Sequence, residues 1–197
     1  MEAGRLPSLL SWAKLTSNMK NVKYLFGLLF TVAFLSAAAA AQGHSLRAVH
    51  PDDQYVSEQD GFEIGLPADL VKEEDLSNGR SYSWDFNEGL ISVLVRTFPD
   101  GSVIKSDADI GGFLKGYKGA LIRDAGVKFI SETPARLGDY SGASYLITVE
   151  GNKTQLVVLA WNKFNIVLRG VSNGKIEGSD QLVFNALKTF ELHSAAK

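Results

Sequence analysis

The sequence predicts an α+β fold: an α/β/α sandwich with a largely antiparallel sheet of about six to seven strands and a helix on each face. Alternating apolar residues indicate strands within 62–66 and 82–95, and three more strands are indicated within 143–171. Between these groups the apolar period becomes that of a helix, and a second helix follows the last strands. The run LVVLAW is apolar at successive positions, which is typical of a central strand covered on both sides.

The first predicted strand lies in the sequence GFEIGLP. Phe62, Ile64 and Leu66 alternate with other residues, and Pro67 ends the run. The next two strands, SYSWDF and LISVLVRTF, alternate in the same way and are separated by Asn-Glu-Gly. This arrangement predicts a hairpin, because Gly89 is free to adopt a positive φ in the turn.

The segment SDADIGGFLKGYKGALIRDAG has apolar residues at helical spacing and predicts a helix within 106–126. Ser106 and Asp109 fit a capping box at its start. Four internal glycines each cost about 1 kcal/mol relative to alanine, so the helix must be held by packing. We expect the glycines to let it lie close to the sheet.

Three later strands are predicted at 143–150, 155–161 and 164–171. The connections between them are short, and short connections require antiparallel neighbours. The segment GSDQLVFNALKTFEL then has helical spacing with Ser179 as a cap. It predicts a helix to about Lys188 and a last short strand.

Residues 19–41 are predicted to be a secretory signal peptide. Two lysines precede the apolar core YLFGLLFTVAFL, and small residues precede a cut between Ala41 and Gln42, with Ala40 as the other candidate position. An uncleaved anchor is the alternative, because the apolar stretch is about as long as a membrane span. Cleavage is favoured because the stretch ends in weakly apolar alanines with no cluster of Lys or Arg behind it.

The predicted signal peptide sets how the segments before and after it are interpreted. Residues 1–18 have no strong pattern and are predicted to be a mis-called N-terminal extension, with Met19 as the natural start. Residues 42–60 are polar and without period, so we expect a flexible linker. The folded domain is predicted at 61–192, followed by a tail at 193–197.

Composition narrows the possible functions. The chain has no cysteine, which excludes disulfides, thiolate metal sites and cysteine nucleophiles. Without residues 1–41 the 20 Lys and Arg become 16 and the 22 Asp and Glu become 21, a net charge of −5. This balance argues against a nucleic-acid partner. An exported protein, periplasmic or extracellular, with no stable membrane span after cleavage is expected.

No catalytic residue and no cofactor are predicted. The three histidines, His44, His50 and His193, lie in the predicted linker and tail, where no catalytic triad would be fixed. The sequence contains neither a G-x-S-x-G nucleophile elbow nor a phosphate-binding loop. We therefore expect a protein that is not an enzyme.

Further interpretations concern a pair of aspartates, one tryptophan and one charged run. Asp107 and Asp109 are the candidate metal ligands, but helix capping explains both and no calcium-loop pattern accompanies them, so no metal is predicted. Trp84 is the candidate aromatic of a ligand cleft, shared with the helix that starts near Asp109, although core packing is the simpler interpretation. The charged run Lys72–Asp75 is expected to be a solvated loop.

Four motifs occur in an order that resembles the PsbP-like family, which includes an extrinsic subunit of photosystem II and many exported bacterial relatives. They are GFEIGLP, TPARLGDYSGASYLITV, QLVVLAWNKFNIVLRGV and ALKTFEL, within 61–192. These are packing motifs, so no catalytic or ligand residue is carried over. The resemblance implies an α/β/α sandwich that acts as a binding or assembly accessory.

Two functional hypotheses follow. The first is an exported, non-enzymatic module that binds an unknown protein or small ligand in the cell envelope. The alternative is an exported hydrolase with an unrecognised active site. Paired carboxylates with raised pKa, or a serine in contact with a lysine, would favour the hydrolase. An exposed apolar patch would favour the binding module.

Overall fold

A computed structural model describes residues 43–98, 101–123 and 126–193. The predicted N-terminal extension, the signal peptide and its cleavage site at Ala41 and Gln42 lie outside the described residues. Within the described ranges, no helix has the length and apolar character needed to cross a membrane.

A seven-stranded sheet forms the centre of the molecule, in the order β3-β4-β5-β9-β8-β7-β6. Its strands are β3 (Lys72–Leu76), β4 (Gly79–Phe86), β5 (Gly89–Thr97), β6 (Val127–Leu137), β7 (Tyr140–Val149), β8 (Asn152–Trp161) and β9 (Phe164–Ser172). Every neighbouring pair is antiparallel, so the predicted α+β class and antiparallel sheet are confirmed. Helix α1 (Asp107–Arg123) connects β5 to β6, and helix α2 (Ser179–Leu187) follows β9.

A second, three-stranded sheet has the order β1-β2-β10. It consists of β1 (Tyr55–Ser57), β2 (Phe62–Ile64) and β10 (Glu191–Leu192). The first and the last strands predicted from the sequence are therefore neighbours, with Leu192 opposite Phe62. This pairing brings the two ends of the described chain together.

The segment before β2 differs from the predicted flexible linker at 42–60. It contains β1 and a short 3-10 helix, Leu46–Ala48, whose Leu46 side chain is buried. The buried Glu88 carboxylate accepts hydrogen bonds from the Ser45 hydroxyl at 2.5 Å and from the Leu46 N–H at 2.8 Å. Glu88 fixes the start of the segment, whereas buried Tyr55 and the pairing of β1 with β2 fix its end, so the segment is ordered without a regular apolar period.

Acid is expected to release this segment. Burial raises the pKa of Glu88, but hydrogen bonds from the Ser45 hydroxyl and the Leu46 N–H outweigh burial, and the pKa lies below its ordinary value. Because the pKa of Glu88 is lower in the folded chain than in the unfolded chain, the Glu88 carboxylate stabilises the contact fully above the unfolded pKa of about 4.3. This stabilisation is lost as the pH falls through the pKa of the folded state. Hydrogen exchange in 44–48, corrected for intrinsic rates, should accelerate at acid pH.

Glu88→Gln should show the accelerated exchange already at neutral pH, because the amide cannot accept both bonds as a carboxylate does. Glu58→Gln is the matched control, since Glu58 is exposed. Equal protection of 44–48 in Glu88→Gln and the unaltered chain at pH 7 would contradict the assignment.

The two larger apolar clusters pack against the main sheet. The larger includes Trp84, Ile91 and Leu168 from the strands, with Val183 and Leu187 from α2. The second contains Tyr117 of α1 together with the strand residues Ala143, Tyr145, Ile147, Val149, Leu156, Val158 and Val167. Each helix thus contributes to a different cluster.

Helix α1 begins with the predicted capping box. The Asp109 carboxylate accepts from the Ser106 N–H at 3.0 Å, and the Asp109 N–H donates to the Ser106 hydroxyl at 3.3 Å. The helical glycines do not have the expected packing role. A Cβ atom would meet nothing within 4 Å at Gly111, Gly112, Gly116 or Gly119. They face open space, and buried Ile110 and Tyr117 attach the helix instead.

The two edges of the main sheet are strands that the sequence did not predict. Strand β3 contains the charged run Lys72–Asp75, expected to be a solvated loop. Strand β6 is largely exposed, has a register shift between Phe129 and Ser131, and includes Pro134. Edge strands bury few side chains, so they lack a clear apolar alternation. Charges, irregular register and proline also discourage the addition of a further strand.

Candidate functional site

An open apolar groove with a volume of about 160 Å³ lies between α2 and strands β6 and β8. Val157 and Leu159 of β8, with Leu168 of β9, form its floor. Residues from α2 and the turn after it form one wall, and residues from the end of β6 form the other. The wall residues are Phe184, Leu187, Lys188 and Phe190 on one side, and Ala135, Arg136 and Leu137 on the other.

The groove exists because α2 covers only part of its side of the sheet. The helix packs mainly on β9 and β5. Across the uncovered part, Ala135 is paired with Gly142, and Gly142 with Leu159. Glycine at 142 has no side chain, so no side chain stands between Ala135 and Leu159 in this row.

An exposed tryptophan lies on the same side of β8 as the groove. Val157, Leu159 and Trp161 are alternate residues of this strand and point to the same side of the sheet. Trp161 is 40% exposed, and it is paired with Phe164 of β9. Leu159, between Val157 and Trp161, is only 1% exposed, so Trp161 is separated from the groove by buried surface.

Cations outnumber unpaired carboxylates around this surface. Arg136 and Lys188 line the groove, and Lys163 follows Trp161 in the turn between β8 and β9. These three form no ion pair within the described ranges, unlike the cations Lys72, Arg80, Lys118 and Lys153. Asp139 in the turn after β6 and Glu191 directly after Phe190 are exposed carboxylates, and neither forms an ion pair within the described ranges. The apolar groove therefore has charges of both signs near it.

Local hydrogen bonds hold two of the cations. The Arg136 Nε donates to the Gly138 carbonyl at 3.4 Å, and the Lys188 Nζ donates to the Asn185 side-chain carbonyl at 2.9 Å. The Lys163 ammonium lies 5.2 Å from the centre of the Phe164 ring. The local partners of these three cations are therefore neutral groups.

Trp84, the candidate aromatic of a ligand cleft, lies in the core, in agreement with the simpler interpretation. Its side chain is fully buried, and its indole N–H donates to the Pro67 carbonyl at 3.0 Å. Its ring packs edge-on against Tyr55, with 5.4 Å between centroids. Alternation placed Trp84 on an apolar face, but the pattern cannot distinguish a closed core from an open cleft.

The other predicted candidates lie at the start of α1. Asp109 accepts from the Lys105 N–H and from Ser106, and these bonds lower its pKa. Asp107 is in the first helical turn. Within the described ranges, no cluster of three or more His, Cys, Asp or Glu residues could hold a metal ion.

Neither paired carboxylates with raised pKa nor a serine hydroxyl beside a free lysine amine is found among the residues that the structure describes. The carboxyl groups whose pKa departs from its ordinary value, Glu88, Asp109 and Asp180, are all shifted downward, whereas a general acid needs a raised pKa. The Lys153 ammonium pairs with the Asp180 carboxylate and lowers its pKa. The nearby Ser172 hydroxyl donates to the Lys153 backbone carbonyl at 3.2 Å, so it does not face a free amine.

The groove residues were not singled out from the sequence, although one signal was present. The run LVVLAW is apolar on both faces and predicts a strand covered on both sides. One of its faces, with Val157 and Leu159, is covered only in part. Which part of an apolar strand stays uncovered depends on where α2 lies, and no local pattern specifies that position.

The matches of this chain to known proteins are matches to solved structures. No protein-family model and no curated protein sequence matches the chain. Among solved structures, the chain is similar to the solution structure of cyanobacterial PsbP (CyanoP) from Synechocystis sp. PCC 6803. The identity is 16%, the match covers 72% of this chain and 92% of that chain, and the TM-score is 0.46. That protein bears the name of the family that the sequence motifs resemble.

Proposed function

We propose that this chain is a non-enzymatic binding module, acting as a binding or assembly accessory, and that it holds a partner in the groove beside α2. The open apolar groove is the observation that carries the proposal, because binding sites are concave and mostly apolar with a few polar groups. The resemblance of the sequence motifs to the PsbP-like family implies the same class of function.

The module is proposed to work outside the cytoplasmic membrane, after cleavage between Ala41 and Gln42. The leader pattern at 19–41 supports this location. The proposal also includes a helix on each face of the sheet. Leu168 belongs to the cluster with α2, and its neighbour Val167 belongs to the cluster with α1. Successive residues of a strand point to opposite faces, which supports the sandwich.

A partner in the groove should be lost when a charge is placed on its wall. Ala135→Glu puts a carboxylate on the partly exposed β6 wall, and Ala108→Glu places the same charge on exposed α1 as the control. Both variants and the unaltered chain would capture proteins from a cell-envelope extract of the source organism, with quantitative mass spectrometry. One stoichiometric protein should disappear with Ala135→Glu and remain with Ala108→Glu.

Capture that does not differ between the two variants would refute the groove as the docking site. Folding of each variant is checked by thermal unfolding, and Phe184→Ala provides a second groove variant without added charge. A hydrolase screen on the same samples tests the alternative. Hydrolysis retained by both glutamate variants, with no groove-dependent partner, would replace the binding module with an enzyme.

A further inference from the structure

We propose that Asn152 is an N-glycosylation site, where an oligosaccharide is attached to the side-chain amide as the chain is exported. This inference rests on the export that is part of the proposed function, and it does not depend on the groove. Three observations carry it: an acceptor sequence, the position of Asn152 beside an exposed turn, and a buried threonine hydroxyl without a hydrogen-bond partner in the described part of the chain.

The acceptor sequence is Asn152-Lys153-Thr154. An N-glycosylation acceptor consists of an asparagine, any residue except proline, and a serine or threonine. This pattern occurs once in the chain. Because so short a motif also arises by chance, its structural context decides its meaning, and the expected context is the surface of a secreted protein.

Asn152 has that context. It directly follows the two-residue turn between β7 and β8, in which Glu150 has a φ of 51° and Gly151 a φ of 87°. Positive φ at both turn residues is the geometry that closes a tight hairpin. Asn152 is exposed at the end of this hairpin. A bulky sugar on its amide therefore extends into solvent and leaves the sheet intact.

Thr154 has a hydroxyl group that packing does not explain. The residue is 1% exposed, and its Oγ1 has no hydrogen-bond partner among the described residues. A buried hydroxyl without a partner loses its hydration and gains nothing in return, whereas valine has nearly the same shape and suits a strand. The hydroxyl therefore costs stability in the folded chain, and it is the group that completes the acceptor sequence.

The burial of Thr154 also sets when the sugar is added. Asn152 and Thr154 are alternate residues of β8, so they lie on one side of an extended chain and a transferase can contact both. In the folded chain Asn152 is exposed and Thr154 is not. Recognition of both side chains therefore requires transfer before β8 joins the sheet.

The transfer requires a transferase and an activated sugar donor, an oligosaccharide whose anomeric carbon carries a diphosphate leaving group. The amide nitrogen of Asn152 attacks that carbon, and a nitrogen–carbon bond forms. The bond between the anomeric carbon and the diphosphate oxygen breaks, and the diphosphate leaves with the bonding electron pair. One amide proton passes to a base of the transferase, and no oxidation or reduction takes place.

The sugar and the groove lie on opposite sides of the sheet. Asn152 is on the same side of β8 as Leu156 and Val158, which belong to the cluster with α1. Gln155 and Val157, on the other side of β8, line the groove. Glycosylation therefore leaves the groove free, and the two sites can be tested separately.

The test is mass spectrometry of the chain purified from the fractionated cells and medium of its source organism. The peptide that contains Asn152 should have the added mass of an oligosaccharide. Asn152→Gln and Thr154→Val should each lose all of this mass, whereas Thr154→Ser, which restores the hydroxyl, should keep it. Thermal unfolding of each variant confirms that it is folded.

The matched control is Asn162→Gln. Asn162 is an exposed asparagine in the next hairpin turn and is also followed by lysine, but Phe164 stands where the acceptor sequence needs a hydroxyl residue. The Asn162 variant should keep the full added mass on the peptide that contains Asn152.

Two outcomes would overturn the inference, and they differ in what remains of the proposed function. An exported chain that begins at Gln42 and has the unmodified mass at Asn152 would refute glycosylation and keep the export. An unmodified chain that retains residues 19–41 and is recovered from the cytoplasm would refute both glycosylation and export.

Discussion

Gly142→Ala is expected to destabilise the protein by about 3 kcal/mol, because the added methyl group collides with the neighbouring strand. A Cβ atom at this position would lie 1.8 Å from the Val158 carbonyl oxygen and 3.0 Å from the Leu159 Cα. Both are backbone atoms of β8, so relief requires the two strands to separate. Chemical denaturation should show a lower midpoint, with the loss in free energy of unfolding obtained from the slope.

Gly112→Ala is the matched control, with the opposite sign expected. A Cβ atom at Gly112 meets nothing within 4 Å, and the residue lies in the interior of α1. Alanine should therefore stabilise the helix by about 1 kcal/mol. Equal effects of the two substitutions would show that the close approach of β7 and β8 at Gly142 does not exist.

Trp84→Ala is expected to cost about 4 kcal/mol, since it leaves a large cavity in the core. The side chain is fully buried and contacts Tyr55, as described above. Trp84→Phe keeps an aromatic ring but removes the indole N–H that donates to the Pro67 carbonyl, and should cost about 1–2 kcal/mol beyond the lost volume. Equilibrium denaturation measures both effects.

Substitution of the exposed Trp161 tests whether the stability cost at Trp84 comes from core packing or from the loss of any tryptophan side chain. Trp161→Ala should change the free energy of unfolding by less than about 1 kcal/mol, because the ring is 40% exposed. A stability loss at Trp161 as large as that at Trp84 would place both residues in the core.

The predictable parts of the fold are those determined by local periodicity. Strands β4, β5, β7, β8 and β9 alternate buried and exposed positions or contain a continuous apolar run, and each was predicted within a few residues of its observed bounds. The capping box of α1 was predictable because both of its residues lie within one helical turn. These features depend on neighbours in sequence.

The parts that could not be predicted depend on distant residues. Glu88 fixes Ser45 and Leu46, so the segment before β2 is ordered without an apolar pattern. The edge strand β6 obtains its structure from pairing with β7, although most of its side chains are exposed. The groove depends on how far α2 extends over the sheet, which no local pattern of β8 encodes.

The strand order of the main sheet has a consequence for how quickly the chain folds. Strands β3-β4-β5 and β6-β7-β8-β9 are two meanders of consecutive strands, and they meet only where β5 pairs with β9. Closing that seam costs the entropy of a long loop, whereas each meander forms by short closures. We expect rate-limiting formation of the seam, with substitutions at Val93 and Leu168, which face each other there, slowing folding rather than accelerating unfolding.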